Sequence, residues 1–139
     1  MNKFYPITFK SIKMKAKDAD TWLTALRSGE YKQGSGELCN FNNSSYCCLG
    51  VLQASLTGAV EVDEFGDNLG LPSKEWLNEH GIQFAHSVNG FEDTVKNPVI
   101  AQLVRDDNIV GTVSASTVND LYLSFSDIAD LLEACIEKH

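Results

Sequence analysis

At 139 residues, with 43% hydrophobic and 22% charged residues, the chain has the length of one domain and the composition of a globular protein, not of a disordered or fibrous one. No apolar stretch approaches the ~18 residues that span a bilayer, and residues 1–9, polar and interrupted by Pro6, do not read as a secretory segment; the expected compartment is cytoplasmic, with no membrane partner. The net charge of −8 makes nucleic acid a disfavoured partner, although residues 1–17 form a basic segment with five lysines (Lys3, Lys10, Lys13, Lys15, Lys17) and no acid.

In chain order, "ITFKSIKMKAK" alternates apolar and lysine residues at Ile12, Met14 and Ala16, the pattern of an exposed, lysine-decorated strand. In "DADTWLTALRSGEY", Ala19, Trp22, Leu23 and Leu26 recur at helical spacing, with Arg27 in the last turn and Gly29 to close it. A Gly- and Asn-rich stretch follows, with room for a short strand near Leu38–Phe41. Ser44 or Ser45 is the expected N-cap of a helix that places Cys48 in its first turn and ends at Gly58. A short strand and turn are read in "AVEVDEFGDNLG", then a short helix capped by Ser73 and anchored by Trp76 and Leu77.

"IQFAHSVNGFEDTV" alternates at Ile82, Phe84, His86 and Val88, and Asn89-Gly90 suits a type I′ turn, so a β-hairpin is predicted there. "NPVIAQLV" reads as a further strand. The chain then forms a short helical turn and a helix capped by Ser124, with Ile128, Leu131, Leu132 and Cys135 on its buried stripe. Without a regular βαβ rhythm, the expected fold is α+β: a small antiparallel sheet with three to four helices around one core, residues 1–139 forming a single domain.

Four cysteines without an export signal are expected to be reduced thiols, and neither they nor the three histidines fall at zinc-ligand spacing; no metal or cofactor is expected. Two candidate sites compete. In the first, a helix N-terminus lowers the Cys48 thiol pKa, and the hairpin sets His86 opposite Asp93, giving a Cys48–His86–Asp93 nucleophilic set. That order resembles the NlpC/P60-type and other papain-like cysteine hydrolases, with "CLGVL" echoing their Cys-Ser-Gly-apolar-apolar helix start. The bland alternative is that Cys48 packs as a small apolar residue and His86 is a hydrogen-bonded core histidine. In the second, "RSGEYKQGSG" supplies charge-assisted donors (Arg27, Lys32), an amide (Gln33), an aromatic that can stack on a base (Tyr31), and glycines (Gly34, Gly36) whose N–H groups can approach an anion. It lacks the GKS/T of a P-loop, and its bland alternative is a solvated loop with Arg27 on the preceding helix's carbonyls. The stretch "NDLYLSFSDIADLL" is similar to the start of the second helix in helix-turn-helix DNA readers. Its outer face, however, offers Ser126, Asp127, Asp130 and Glu133, which phosphates would repel.

"WLTALRSGEYKQGSGELC", "YCCLGVL", "LPSKEWL", "NPV" and "VNDLYLSFSDIADLLE" together resemble, in the same order, a widespread group of small proteins of tailed bacteriophages and prophages. The likeness runs from Trp22 to Glu133 and departs at Val118 and at Tyr122, where the group usually has glycine. The resemblance implies a phage accessory protein, of a kind that often counters host defences, and transfers no catalytic residue. The expected function is therefore binding or sequestration of a host protein or a small anionic, nucleotide-like ligand, with turnover by Cys48 as the alternative. Self-association through the basic segment is a further expectation.

Overall fold

Strand and helix signals in this sequence are short, and the elements they produce are correspondingly short. The computed structural model describes residues 1–139. The chain runs through β1 (Asn2–Pro6), β2 (Ile12–Met14), α1 (Ala16–Ser28), β3 (Lys32–Gln33), β4 (Cys39–Asn40), β5 (Ser45–Tyr46), α2 (Cys48–Thr57) and α3 (Lys74–Glu79). It continues with β6 (Gln83–Phe84), β7 (Val99–Arg105), β8 (Asn108–Ser114), α4 (Ala115–Asp120), α5 (Phe125–Cys135) and β9 (Ile136–Lys138). The strands form three small sheets, ordered β1-β7-β8, β6-β2-β9 and β3-β5-β4. The class is α+β, as composition and pattern indicate, with five helices and the sheet divided in three.

The alternation at Ile12 and Met14 does make a strand, but an interior one. β2 lies between β6, antiparallel, and β9, parallel, with Ile12 and Met14 fully buried. The lysines survive there because the strand is only three residues long and Lys13 escapes sideways to Glu137 at 3.6 Å. The exposed strand near the start of the chain is instead β1, at one edge of its sheet and antiparallel to β7.

α1 buries Ala19, Trp22, Leu23 and Leu26, and packs on α2 and α5. Trp22 lies in the core, with its indole N–H donating to the Cys48 carbonyl at 2.9 Å. α2 is apolar nearly all round its first two turns, as a helix enclosed by α1, α4 and β5 must be. Leu49 and Leu52 are fully buried there, each contributing roughly 2 kcal/mol of transfer free energy. At Gly50 a Cβ would overlap the Leu38 carbonyl, so glycine is what lets this turn approach the β4 segment. α5 closes the other side, capped by Ser124 Oγ accepting from the Asp127 N–H at 3.1 Å.

The predicted hairpin over Asn89-Gly90 does not form. β6 stops at Phe84 and pairs with β2, and residues 85–98 follow an irregular path, held by Ala85 N–H on the Ser11 carbonyl and Val99 N–H on the Ala85 carbonyl. The hairpin that does form is β7–β8, two strands of seven residues each, and its turn falls on Asp106 and Asp107, at φ of 52° and 64°. Two consecutive left-handed residues are what a type I′ turn requires, and aspartate tolerates them.

Candidate functional site

The cysteine pair divides between two roles, both internal. Cys47 is the N-cap of α2, displacing the expected serines, and its Sγ accepts from the Gly50 N–H at 3.4 Å. Cys48 is fully buried, its thiol directed to the Ala115 carbonyl at 3.6 Å. Burial holds the Cys48 pKa well above that of a free thiol and raises Cys47 too, outweighing the backbone N–H groups that act in the opposite direction. Helix position alone predicts the reverse; desolvation wins because no water reaches the sulfur. With the hairpin absent, His86 and Asp93 are both exposed on the irregular segment, whereas Cys48 has no exposed surface. The Cys48–His86–Asp93 set is therefore not assembled: its nucleophile is sealed in the core, and its base and orienting acid lie in solvent.

The segment from Arg27 to Gly36 is folded back on the molecule. Arg27 donates through one guanidinium nitrogen to Asp130 at 2.7 Å and Glu133 at 3.2 Å, hydrogen bonds that raise its pKa further. Tyr31 packs edge-on against Tyr46, with centroids 5.2 Å apart, and Lys32 is exposed on β3. Gln33 donates to the Asn119 side-chain oxygen at 3.0 Å and to the Leu123 carbonyl at 2.7 Å. Gly34 N–H meets the Tyr46 carbonyl at 2.7 Å, and the Gly34 carbonyl accepts from Asn119 Nδ2 at 2.7 Å. Gly36, at φ of 83°, donates its N–H to Asp120 at 3.1 Å. Of the six residues expected to contact an anion, Arg27, Gln33, Gly34 and Gly36 have these donors engaged within the fold. The string is a latch joining the end of α1 to the α4–α5 turn.

That latch forms one wall of a cleft of about 200 Å³. Gly36 and Glu37 come from the first of the five motif segments, Cys47 from the second, Leu71 from the third, Asn97 from the fourth and Asp120 from the fifth; Gly70 and Ser116 complete the lining. Cys47, only 2% exposed, lies among these residues. Asn97 and Ser116 brace each other, with Asn97 Nδ2 donating to Ser116 Oγ at 2.6 Å and Asn97 Oδ1 accepting from the Ser116 N–H at 3.1 Å. Asp120 receives the Gly36 N–H on one oxygen, and Glu37 receives Asn68 Nδ2 on one oxygen at 2.7 Å, leaving each carboxylate a second oxygen. No lysine, arginine or histidine lines the cleft. Such a lining accepts hydrogen bonds and positive charge, and repels anions.

Larger grooves of about 750 and 480 Å³ run along α1 and between β1 and α5, and one of about 300 Å³, without any motif residue, lies between β1 and the β7–β8 turn. Their volume exceeds the cleft's, but the first takes motif residues only from the α1 segment and the second only from the α5 segment. The motifs "NPV" and "VND" carry Asn97 and Asp120, yet neither residue stands out as a site residue in the sequence, because neither has conspicuous chemistry alone. Nowhere in the structure do three His, Cys, Asp or Glu side chains group to hold a metal ion.

Residues from all five motif segments thus meet at one small cleft that holds two carboxylates, and the Cys48 thiol is buried in the core of this α+β domain. The chain belongs to the family described as a domain of unknown function, DUF8296, whose model matches residues 14–136. No curated protein and no solved structure matches it.

Proposed function

We propose that this protein is a phage-type accessory factor that acts in the cytoplasm of an infected cell by binding and sequestering a host protein, and that the cleft receives a positively charged, donor-rich group such as a lysine or arginine side chain of that protein. The carrying observation is the convergence of five separate motif segments on a cleft lined by Glu37 and Asp120 and free of cations. The small anionic ligand suggested by the glycine-rich segment is the weaker occupant, since Arg27 is already flanked by two carboxylates and the Gly34 and Gly36 N–H groups are taken. An anti-defence role rests on the phage resemblance and fits sequestration without turnover. No helix is long and apolar enough to cross a membrane.

Titration calorimetry with lysine- and arginine-rich peptides, a polyamine and a nucleotide panel tests the reading. Binding of the cationic probes is expected, weakened roughly tenfold by Asp120→Asn or Glu37→Gln, which keep the internal hydrogen bonds and remove the charge. Binding of nucleotides alone, or cationic binding indifferent to both substitutions, overturns it.

A further inference from the structure

The β1-β7-β8 sheet has one face packed on α5 and one face open. Its strand register sets Lys3 beside Val104, Tyr5 beside Gln102, and Ile109 across from Val104 on that open face. Ile109 is 68% exposed and Tyr5 45%, and Val110, 55% exposed, occupies the bulged position of β8 where the register shifts at the sheet's free edge. Large apolar side chains at this exposure, carried by the two outer strands of one three-stranded sheet, mark an interaction surface more than scattered ones do. Beside them, Lys3, Tyr5, Val104, Asp106 and Asp107 line a groove of about 300 Å³.

The charges on this face are arranged in opposition. Lys3 stands on the β1 flank and Asp107 on the turn flank, and neither makes an ion pair within the chain. A partner of a single charge would meet a like charge on one flank. A second copy, turned about a two-fold axis lying in the interface, sets each Lys3 on the partner's Asp107 and closes apolar centre on apolar centre. In a chain of net charge −8, a pairing that sets the acidic surfaces of two copies together is repulsive, and this face avoids it. We infer that the open face of the β1-β7-β8 sheet is a homodimer interface, with Tyr5, Val104 and Ile109 at its centre and reciprocal Lys3–Asp107 pairs at its rim. The inference is independent of what the cleft binds.

Sedimentation velocity over a micromolar concentration series reads it directly. The unmodified protein is expected to dimerise, and Ile109→Lys, at a solvent-facing position, to be a monomer with an unchanged circular dichroism spectrum. Lys3→Glu is expected to weaken the dimer by roughly tenfold or more, and the double variant Lys3→Glu/Asp107→Lys to restore it, an outcome only a reciprocal contact produces. An unmodified protein that stays monomeric at high micromolar concentration overturns the proposal. So does a dimer that persists in Ile109→Lys, or a double variant no tighter than Lys3→Glu.

Discussion

Tyr122 occupies the left-handed region at φ of 62° while 81% exposed, so it has the strain of that conformation and little packing to offset it. Glycine adopts this conformation without strain, so a tyrosine here is a local cost. Tyr122→Gly is expected to raise stability by up to about 1 kcal/mol, the relief of strain exceeding the added freedom of the unfolded chain, as read from a urea melt. The thiols make a second residue-scale case. Burial pushes Cys135 from 9.0 to about 11, so below its unfolded value the folded state carries this thiol at no penalty. Between about 9 and 11 the unfolded chain releases the proton and the folded one keeps it; stability therefore falls as pH rises through that window, by roughly 2–3 kcal/mol in all from this group. Urea midpoints from neutral to alkaline pH check the slope, which Cys135→Ala should flatten. Cys48, with its pKa also raised, is expected to escape alkylation by iodoacetamide until the protein is denatured, as peptide mass spectrometry would report.

Among the elements, α1, α3 and α5 were legible because each combines a 3.6-residue apolar stripe or anchor pair with a cap or stop signal in the same dozen residues. The hairpins were not. Asn89-Gly90 is the stronger turn dipeptide, yet strand pairing needs a partner with apolar surface to share, and β7 finds it in β8 and β1. The Asp106-Asp107 turn carries no glycine or proline to signal it, and β8, mostly exposed, has no buried alternation to betray it. The glycine-rich segment misled for a related reason: its donors are consumed by Asn119, Asp120 and the Tyr46 carbonyl, all distant in sequence except the last. Asn119 is fully buried and serves both Gln33 and Gly34, so Asn119→Ala takes one of two acceptors from the Gln33 amide and the side-chain donor from the Gly34 carbonyl, and should cost about 1–3 kcal/mol in thermal or urea unfolding. Arg27→Ala, by contrast, removes a pair whose arginine side chain is 35% exposed, and a change of about 1 kcal/mol or less is expected.

For the molecule as a whole, the cleft was invisible as a unit in the sequence because its walls come from positions spread between Gly36 and Asp120, each ordinary until the chain folds. Long separation also governs how the core is closed. β2, near the start of the chain, has β9 as its parallel neighbour, and the Ser11 N–H is held by the Cys135 carbonyl. A chain emerging from the ribosome can wind α1 and α2 early and can pair Ile12 with Phe84 once β6 is made, but the other flank of β2 waits for β9. Vectorial synthesis therefore leaves one flank of this strand without its partner until the last strand of its sheet has been made.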